Sequence, residues 1–425
     1  MIDSPTERPR LIFLTQFYDP EPAYKGQAFA EAVREMGYDV EVVTGFPNYP
    51  GGRLYDGYRI WPWQRSVENG IRITRLAMYP SHNAGKVGRI ANYLSFFCSA
   101  FLYLCFAARR ANLIYVYHPP LTVGLAAAAS RWLHGRPVIV DIHDLWPDTL
   151  PATGMISSPR ILRWIDHAAS WMYRNVQFII LHTEGFGTKL LERGVPQEKM
   201  KTIIGWCNEH RLPDNPPEGI ARLTTAPGLK LLYAGNLGPA QALDSVLGAA
   251  EILQRNGQPT LATFCFLGDG VSKDKLEKRA GELGLENVVF LPRVSARDVP
   301  AYLDAADALL VHLRDEPLFQ ITLPSKTQAY LYAGKPIIMA VLGEAACLIE
   351  RADAGLCIRP EDPEAMAKAV RRLAHMSSDE REAMGERGRV YYERELSMER
   401  GLRQFSEIFD RITQLSTFDY RHGRD

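Results

Sequence analysis

The chain has 425 residues, 46% of them hydrophobic and 23% charged, and its 49 basic residues balance 49 acidic ones. That length accommodates two domains with sizeable cores, and that composition excludes a disordered or fibrous chain. A formal charge of zero argues against a dedicated nucleic-acid binder. The six cysteines (Cys98, Cys105, Cys207, Cys265, Cys347 and Cys357) form no C-x-x-C pair and no zinc spacing, so they are read as reduced, cytosolic and mostly buried. The N-terminal MIDSPTERPR contains acids and no apolar stretch of the signal-peptide kind.

Arg10 to Tyr18 is a short apolar run that reads as a first strand. The loop DPEPAYKG, carrying Glu21 and Lys25, leads into the helix QAFAEAVREMG, which Gly37 closes, and Asp39 to Phe46 gives a second strand. Strand, loop, helix and strand at this pitch make a βαβ unit with a parallel sheet. The loop after the first strand has no G-x-G-x-x-G, so the dinucleotide fingerprint is missing. Phe46 to Tyr58, which includes Asn48, is dense in turn residues. A long loop at the carboxyl end of a parallel strand is a position that lines ligand crevices. Ile71 to Met78 supplies another strand.

Ile90 to Ala108 is apolar almost all round, at the lower length limit for a membrane span. It reads as a helix packed on the sheet, as a helix lying in a membrane interface, or as a span; strands of the same domain on both sides disfavour the span. From Gly51 to Arg110 nine basic residues (Arg53, Arg59, Arg65, Arg72, Arg75, Lys86, Arg89, Arg109, Arg110) face two acids (Asp56, Glu68), an excess of seven, interleaved with Trp61, Trp63, Tyr93 and Tyr103. Basic residues with aromatics beside an apolar helix suit an anionic membrane surface, with Arg89, Phe96, Phe97, Phe101, Arg109 and Arg110 as the expected contacts. The alternative is a solvated basic face without a role.

Ala111 to His118 is a further strand, followed by the helix PPLTVGLAAAASRWLHG. The next strand runs into Asp141, His143, Asp144 and Asp148. Carboxylates and an imidazole at the end of a buried strand are costly unless used or paired. They are candidates for catalysis or acceptor binding, or for capping and bracing a loop. ILRWIDHAASWMYRN reads as a helix, VQFIILHT as a strand ending near His182 and Glu184, and Met200 to Asn208 as the last strand of the first domain.

His210 to Gly228 is rich in proline and turn residues and reads as the linker. The strand LKLLYA then runs straight into Gly235-Asn236-Leu237-Gly238, where glycines let backbone approach a phosphate. Strands and helices alternate onward through TLATFCFLGDG, VVFLPRV with Arg293, and DALLVHL. A polar loop holding Asp315 and Glu316 precedes LPSKTQAYLYAGKP, in which Pro324 suits a helix start and Gly334 and Pro336 its end. Ser325 and Lys326 then sit in the first turn, a plausible pyrophosphate site or simply a solvated helix start. Asp362 to Leu415 is helical and rich in charge pairs, and Leu402, Phe405, Ile408, Phe409 and Ile412 form a stripe expected to cover the first domain.

GNLGPAQALDSVLGAAEIL, FLGDG, ADALLVHL and LPSKTQAYLYAGKPIIMA resemble the nucleotide-binding half of family-four glycosyltransferases. FPNYPGG, YHPPLTVGLAA and DIHDLWPDTL resemble a narrower branch, bacterial transferases of polysaccharide assembly that include N-acetyl-L-fucosaminyl transferases. The resemblance implies an α/β chain of two Rossmann-like domains facing across a cleft, the GT-B fold. Residues 1–209 plus a C-terminal helix at about 400–425 would form an acceptor-binding, membrane-facing domain, and 229–396 a nucleotide-sugar domain. It implies a nucleotide-sugar donor, UDP foremost, and a lipid-pyrophosphate saccharide acceptor at the cytoplasmic face of the inner membrane. It also implies retention of configuration, no metal and no cofactor. The donor would lie on Gly235, Asn236, Gly238, Gln241, Arg293, Glu316, Ser325 and Lys326. The acceptor would lie on Glu21, Lys25 and Asn48, with Asp144, His143 and Asp148 as catalytic candidates. The pattern departs from the family where a pair of glutamates is usual: Ile321 and Ala329 stand there, and Asn236 and Gln241 replace the usual arginine and lysine of the glycine loop. Two rivals are a dinucleotide oxidoreductase and a non-catalytic binding protein of the same fold.

Overall fold

The computed structural model describes residues 8–81, 85–118, 120–152, 156, 158–209 and 215–422. The side chain of Lys86 and the first residues of the expected linker, 210–214, lie outside the described part. The chain forms two compact units, Met1–Ile203 with Leu402–Asp425, and Ile204–Gly401.

The first unit contains β1 (Arg10–Leu14), β2 (Asp39–Gly45), β3 (Trp63–Glu68), β4 (Ile71–Leu76), β5 (Leu113–His118), β6 (Val138–Ile142), β7 (Phe178–Leu181) and β8 (Met200–Thr202). Its helices are α1 (Gln27–Glu35), α2 (Gly85–Ala107), α3 (Leu121–His134), α4 (Thr149–Ala152), α5 (Pro159–Asn175) and α6 (Glu184–Glu192). The strands form one sheet in the order β3-β4-β2-β1-β5-β6-β7-β8, parallel except where β3 runs against β4. Central strands buried on both faces carry apolar runs instead of alternation, and β5 is buried at every position. With the right-handed crossovers general to parallel sheets, this strand order puts α2, α3 and α5 on one face and α1 on the other. α2 packs on α3, and α3 on α5.

Three expectations change here. β3 lies between the loop read over Phe46 to Tyr58 and the strand read from Ile71, in a stretch given no element, and β8 stops at Thr202 instead of Asn208. The backbone N–H of Cys207 donates to the Tyr392 hydroxyl at 3.1 Å, so the chain has already entered the second unit there. The third concerns α2, which is two-sided. Phe96, Ala100 and Leu104 are fully buried, while Val87, Ile90, Leu94, Leu102 and Phe106 are exposed. Phe96, expected at a membrane, is therefore a core residue, and Phe97 and Phe101 are half-buried and stacked on each other at 6.2 Å. Arg89 is half-buried, whereas Arg109 and Arg110 are exposed.

The second unit contains β9 (Leu229–Ala234), β10 (Ala262–Leu267), β11 (Val288–Leu291), β12 (Ala308–His312), β13 (Ile337–Ala340) and β14 (Gly355–Cys357). Its helices are α7 (Ala221–Thr224), α8 (Asp244–Arg255), α9 (Lys273–Glu282), α10 (Val299–Ala305), α11 (Pro317–Gln320), α12 (Lys326–Tyr332), α13 (Glu344–Ala352), α14 (Pro363–His375) and α15 (Ser378–Glu395). The sheet is parallel in the order β11-β10-β9-β12-β13-β14. β9 goes on to β10 on one side and has β12 on the other, which makes its carboxyl end a topological switch point.

The final helix, α16 (Met398–His422), carries the chain back to the first unit. Phe405 packs edge-on against Phe29 at 5.3 Å and Tyr115 at 5.8 Å, and Phe409 against Tyr38 and Tyr115. The Tyr38 hydroxyl donates to Asp410 Oδ1 at 2.9 Å, and the Arg411 guanidinium lies 4.8 Å from the Phe178 ring.

Candidate active site

In the second unit two glycine turns stack at the switch point. The Gly235 N–H donates to Leu267 O at 2.9 Å and the Leu237 N–H to Asp269 O at 2.8 Å. A Cβ on Gly268 would overlap Gly235 O, and one on Gly270 would overlap the Leu237 backbone, so this packing needs bare glycine. The Tyr233 hydroxyl donates to Asn236 O at 2.7 Å, and Gln241 Oε1 accepts from the Gly238 N–H at 3.0 Å and Asn236 Nδ2 at 3.4 Å. Ala242 follows in the left-handed region with φ +45°, a strained conformation for a residue with a side chain. His312 at the end of β12 helps hold it. Its Nδ1 donates to Gln241 O at 2.7 Å, which leaves Nε2 to accept from the Glu361 N–H at 3.3 Å beside the Ser245 hydroxyl. Burial lowers the pKa of His312.

Lys326 reaches into this arrangement from the start of α12. Its Nζ lies 3.6 Å from the centroid of the Tyr233 ring and 3.1 Å from where a Gly235 Cβ would stand. The ammonium is buried and has no hydrogen-bond partner, and burial lowers its pKa to about 7. A buried cation whose only compensation is an aromatic face is costly, and an anion on the glycine turn would relieve that cost. The structure therefore brings together Gly235, Asn236, Gly238, Gln241 and Lys326. Ser325 is exposed at the N-cap of α12, and Glu316 is half-buried at the N-cap of α11. Arg293 stands exposed past edge strand β11, with β10 between it and β9.

In the first unit the polar residues gather where β5, β6 and β7 end. Asp141 is fully buried. Its Oδ2 holds the Lys25 ammonium and the Tyr115 hydroxyl, the latter at 2.6 Å, and its Oδ1 faces His143 Nε2 at 3.3 Å. Burial pushes the Asp141 carboxyl up, but Lys25 and His143 outweigh it and hold the group well below the usual range. The His143 ring packs among Tyr117 (4.9 Å), Tyr24 (5.1 Å) and His182 (4.7 Å). Asp144 lies beside it, and burial raises its pKa. His118 is fully buried at the end of β5, with neither ring nitrogen hydrogen-bonded, and burial lowers its pKa to about 4. Sequence reasoning passed over His118, although an imidazole closing a wholly apolar strand is the same signal that singled out Asp141.

Four of the expected site residues have partners within the first unit. Lys25 is paired with Asp141 and lies 4.3 Å from the Phe405 ring, so it braces the core. Glu21 accepts the N–H groups of Asn48 at 2.6 Å and Tyr49 at 2.7 Å, tying two loops together. Asn48 donates to Phe46 O at 2.9 Å and is buried in the same brace. Asp148 pairs with Arg193 at 2.5 Å, and the same guanidinium reaches Asp166 at 3.4 Å. Among the described residues no group of three or more His, Cys, Asp or Glu is arranged to hold a metal ion.

Residues 27–206 match the model of the glycosyl transferase 4-like domain, and residues 225–391 match that of the glycosyl transferases group 1 domain. The chain is 27% identical over 403 residues to the putative colanic acid biosynthesis glycosyl transferase WcaI of Escherichia coli K12, covering 91% of this chain and 96% of that one. It is 23% identical over 308 residues to the probable glycosyltransferase WbjE of Pseudomonas aeruginosa, covering 70% and 75%. Among solved structures, Anabaena Alr3699/HepE in complex with UDP aligns with a TM-score of 0.64 at 16% identity, covering 94% of this chain and 99% of that one. Sucrose-phosphate synthase from Thermosynechococcus elongatus aligns with a TM-score of 0.70 at 16% identity, covering 96% and 100%. These structural likenesses show the fold, which is GT-B. With a 4-like domain followed by a group 1 domain over nearly its whole length, the chain belongs to the family-four glycosyltransferases.

Proposed function

We propose that this protein transfers a sugar from a nucleotide sugar, with UDP as the carrier, to a saccharide on a lipid pyrophosphate during surface-polysaccharide assembly. The observation that carries this reading is the buried ammonium of Lys326, without a hydrogen-bond partner, beside a side-chain-free glycine turn. A diphosphate on Gly235 to Gly238 would meet that cation, and charge building on the leaving diphosphate would be stabilised there. In this reading Lys326 supplies the positive charge and the reaction uses no metal. The colanic acid transferase relative and the UDP complex of the Anabaena protein support the pathway class and the nucleotide. The narrower reading, an N-acetylaminosugar transferase of the fucosaminyl branch that retains configuration, rests on the first-half motifs alone.

Asp144 is the proposed base for the acceptor hydroxyl, since its raised pKa brings it closer to the working pH, and His143, oriented by Asp141, is its partner. The exposed apolar side of α2, with Arg109 and Arg110 at its end, supports peripheral attachment to the cytoplasmic face of the inner membrane. The test is to incubate the protein with a panel of UDP- and GDP-sugars and a lipid-pyrophosphate acceptor, following nucleotide release and acceptor mass. Release with one UDP-sugar and a matching mass gain is expected. Tight diphosphate binding with no transfer from any donor would leave a binding protein in place of an enzyme.

A further inference from the structure

α5 presents an outward stripe that neither the donor site nor the acceptor site uses. Arg160, Arg163, Trp164, His167, Trp171 and Arg174 recur at helical spacing and are all exposed, Trp164 at 79%. The only acid in the helix, Asp166, is turned toward Arg193 at 3.4 Å, so the stripe is cationic and aromatic over about 25 Å of helix. Arg160, Arg163, Trp164 and His167 line a groove of about 470 Å³ at its first two turns. α5 belongs to the same helical layer as α2 and is joined to it through α3. α3 bridges them with Trp132, 78% exposed, and Leu133, and its His134 Nε2 bonds Cys105 O of α2 at 2.9 Å. The outer faces of these three helices thus form one continuous surface, apolar on α2 and cationic-aromatic on α5.

We infer that the α5 stripe is a second membrane-contact element, one that takes the phosphate headgroups of anionic lipids while α2 enters the apolar boundary. This inference rests on the membrane reading above and extends it to residues outside the 51–110 stretch. The chemistry is complementary: guanidinium groups bind phosphate with two parallel hydrogen bonds, and tryptophan rings favour the headgroup level of a bilayer. Continuity with the apolar side of α2 selects a bilayer over a soluble acidic partner, because a soluble partner has no use for exposed Val87, Leu94, Leu102 and Phe106 on the same layer.

The test uses the full chain and vesicles of phosphatidylcholine with and without phosphatidylglycerol. The α5 variant Arg160→Ala/Arg163→Ala/Trp164→Ala is expected to lose at least about tenfold in partitioning onto the anionic vesicles, with little change on neutral ones, and added salt should shrink the difference. Brominated lipid should quench less of the tryptophan emission in Trp164→Phe than in the wild type, a readout that does not depend on the triple variant folding. The α2 variant Phe106→Ala/Arg109→Ala/Arg110→Ala separates the two readings. If it releases the protein while the α5 variant binds like wild type, the α5 inference is overturned and the membrane reading stands. If wild type binds neither vesicle, the membrane reading fails and the α5 inference with it. Retention on a soluble polyanion without vesicle binding would also overturn it.

Discussion

Lys326 concentrates the chemistry of the second unit in one atom. A lysine whose pKa is lowered to about 7 by burial is partly neutral near that pH, and a bound diphosphate would draw a proton onto it. Two outcomes follow for the ligand-free and ligand-bound protein. UDP affinity, measured by calorimetry, should fall as pH rises through about 7, with net proton uptake on binding. Lys326→Ala should lose roughly 1.5–3 kcal/mol of that affinity and its pH dependence. The stability effect has the opposite sense to an ordinary lysine ion pair. The unfolded chain binds this proton up to pH 10.5 and the folded chain only up to about 7, so the ligand-free protein gains stability as pH climbs through that window, and UDP should suppress the gain. At the other unit, Asp144→Asn should cut transfer by about 10²–10⁴ while UDP affinity stays unchanged, and an equal loss of both would remove Asp144 from the role of base. The lysine was legible because Pro-Ser-Lys marks a helix start. The pairing of Lys25 was not legible because its partner, Asp141, lies 116 residues away and only the fold brings them together.

Local periodicity revealed the elements that have a buried face and missed those that do not. Strands β1, β2 and β5 announce themselves as apolar runs because the sheet covers them on both sides. β3 is exposed at five of its six positions, so WQRSVE carries no burial pattern to read; its partner β4 alone dictates its strand state. Which side of α2 faces the sheet was hidden for the converse reason, since its outward side is as apolar as its inward one. The glycine turns were legible as glycines but their purpose was not. Only the stacking of Gly268 against Gly235 shows why a side chain is excluded, and Gly268 also has φ +142°. Gly268→Ala should therefore displace the Gly235 turn, lowering the melting temperature by several degrees and UDP affinity at least tenfold, at a cost of about 1–3 kcal/mol or more. Gly281→Ala, in helix α9 where an added Cβ meets nothing, is the control expected to leave UDP affinity unchanged without lowering the melting temperature.

At the scale of the whole chain, the first unit is built from two distant pieces, with the second unit inserted between them. The duplication of βαβ class was visible in the alternation of strands and helices, and the return of the C-terminal helix was visible in its apolar stripe. What that helix covers was not visible, because Phe29 comes from α1, Tyr38 from the connection before β2 and Tyr115 from β5. In the fold they form one apolar surface under Phe405 and Phe409, and Lys25 with Asp141 lies beneath it. Removing a buried phenylalanine costs about 3–5 kcal/mol, and α16 contributes two of them together with Ile408 and Ile412, so its loss rivals the total stability of a domain, about 5–15 kcal/mol. It would also wet a buried ion pair. A chain ending at Leu396 should thus have a first unit that unfolds or is cut rapidly by protease between 8 and 203, whereas the second unit retains UDP affinity because its glycine turns and Lys326 lie wholly within 204–401. Limited proteolysis read by mass spectrometry, alongside UDP calorimetry, tests both halves of this expectation. Unchanged protease resistance of the first unit would show that α16 is dispensable to its core, and loss of UDP affinity would show that the second unit depends on the missing helix.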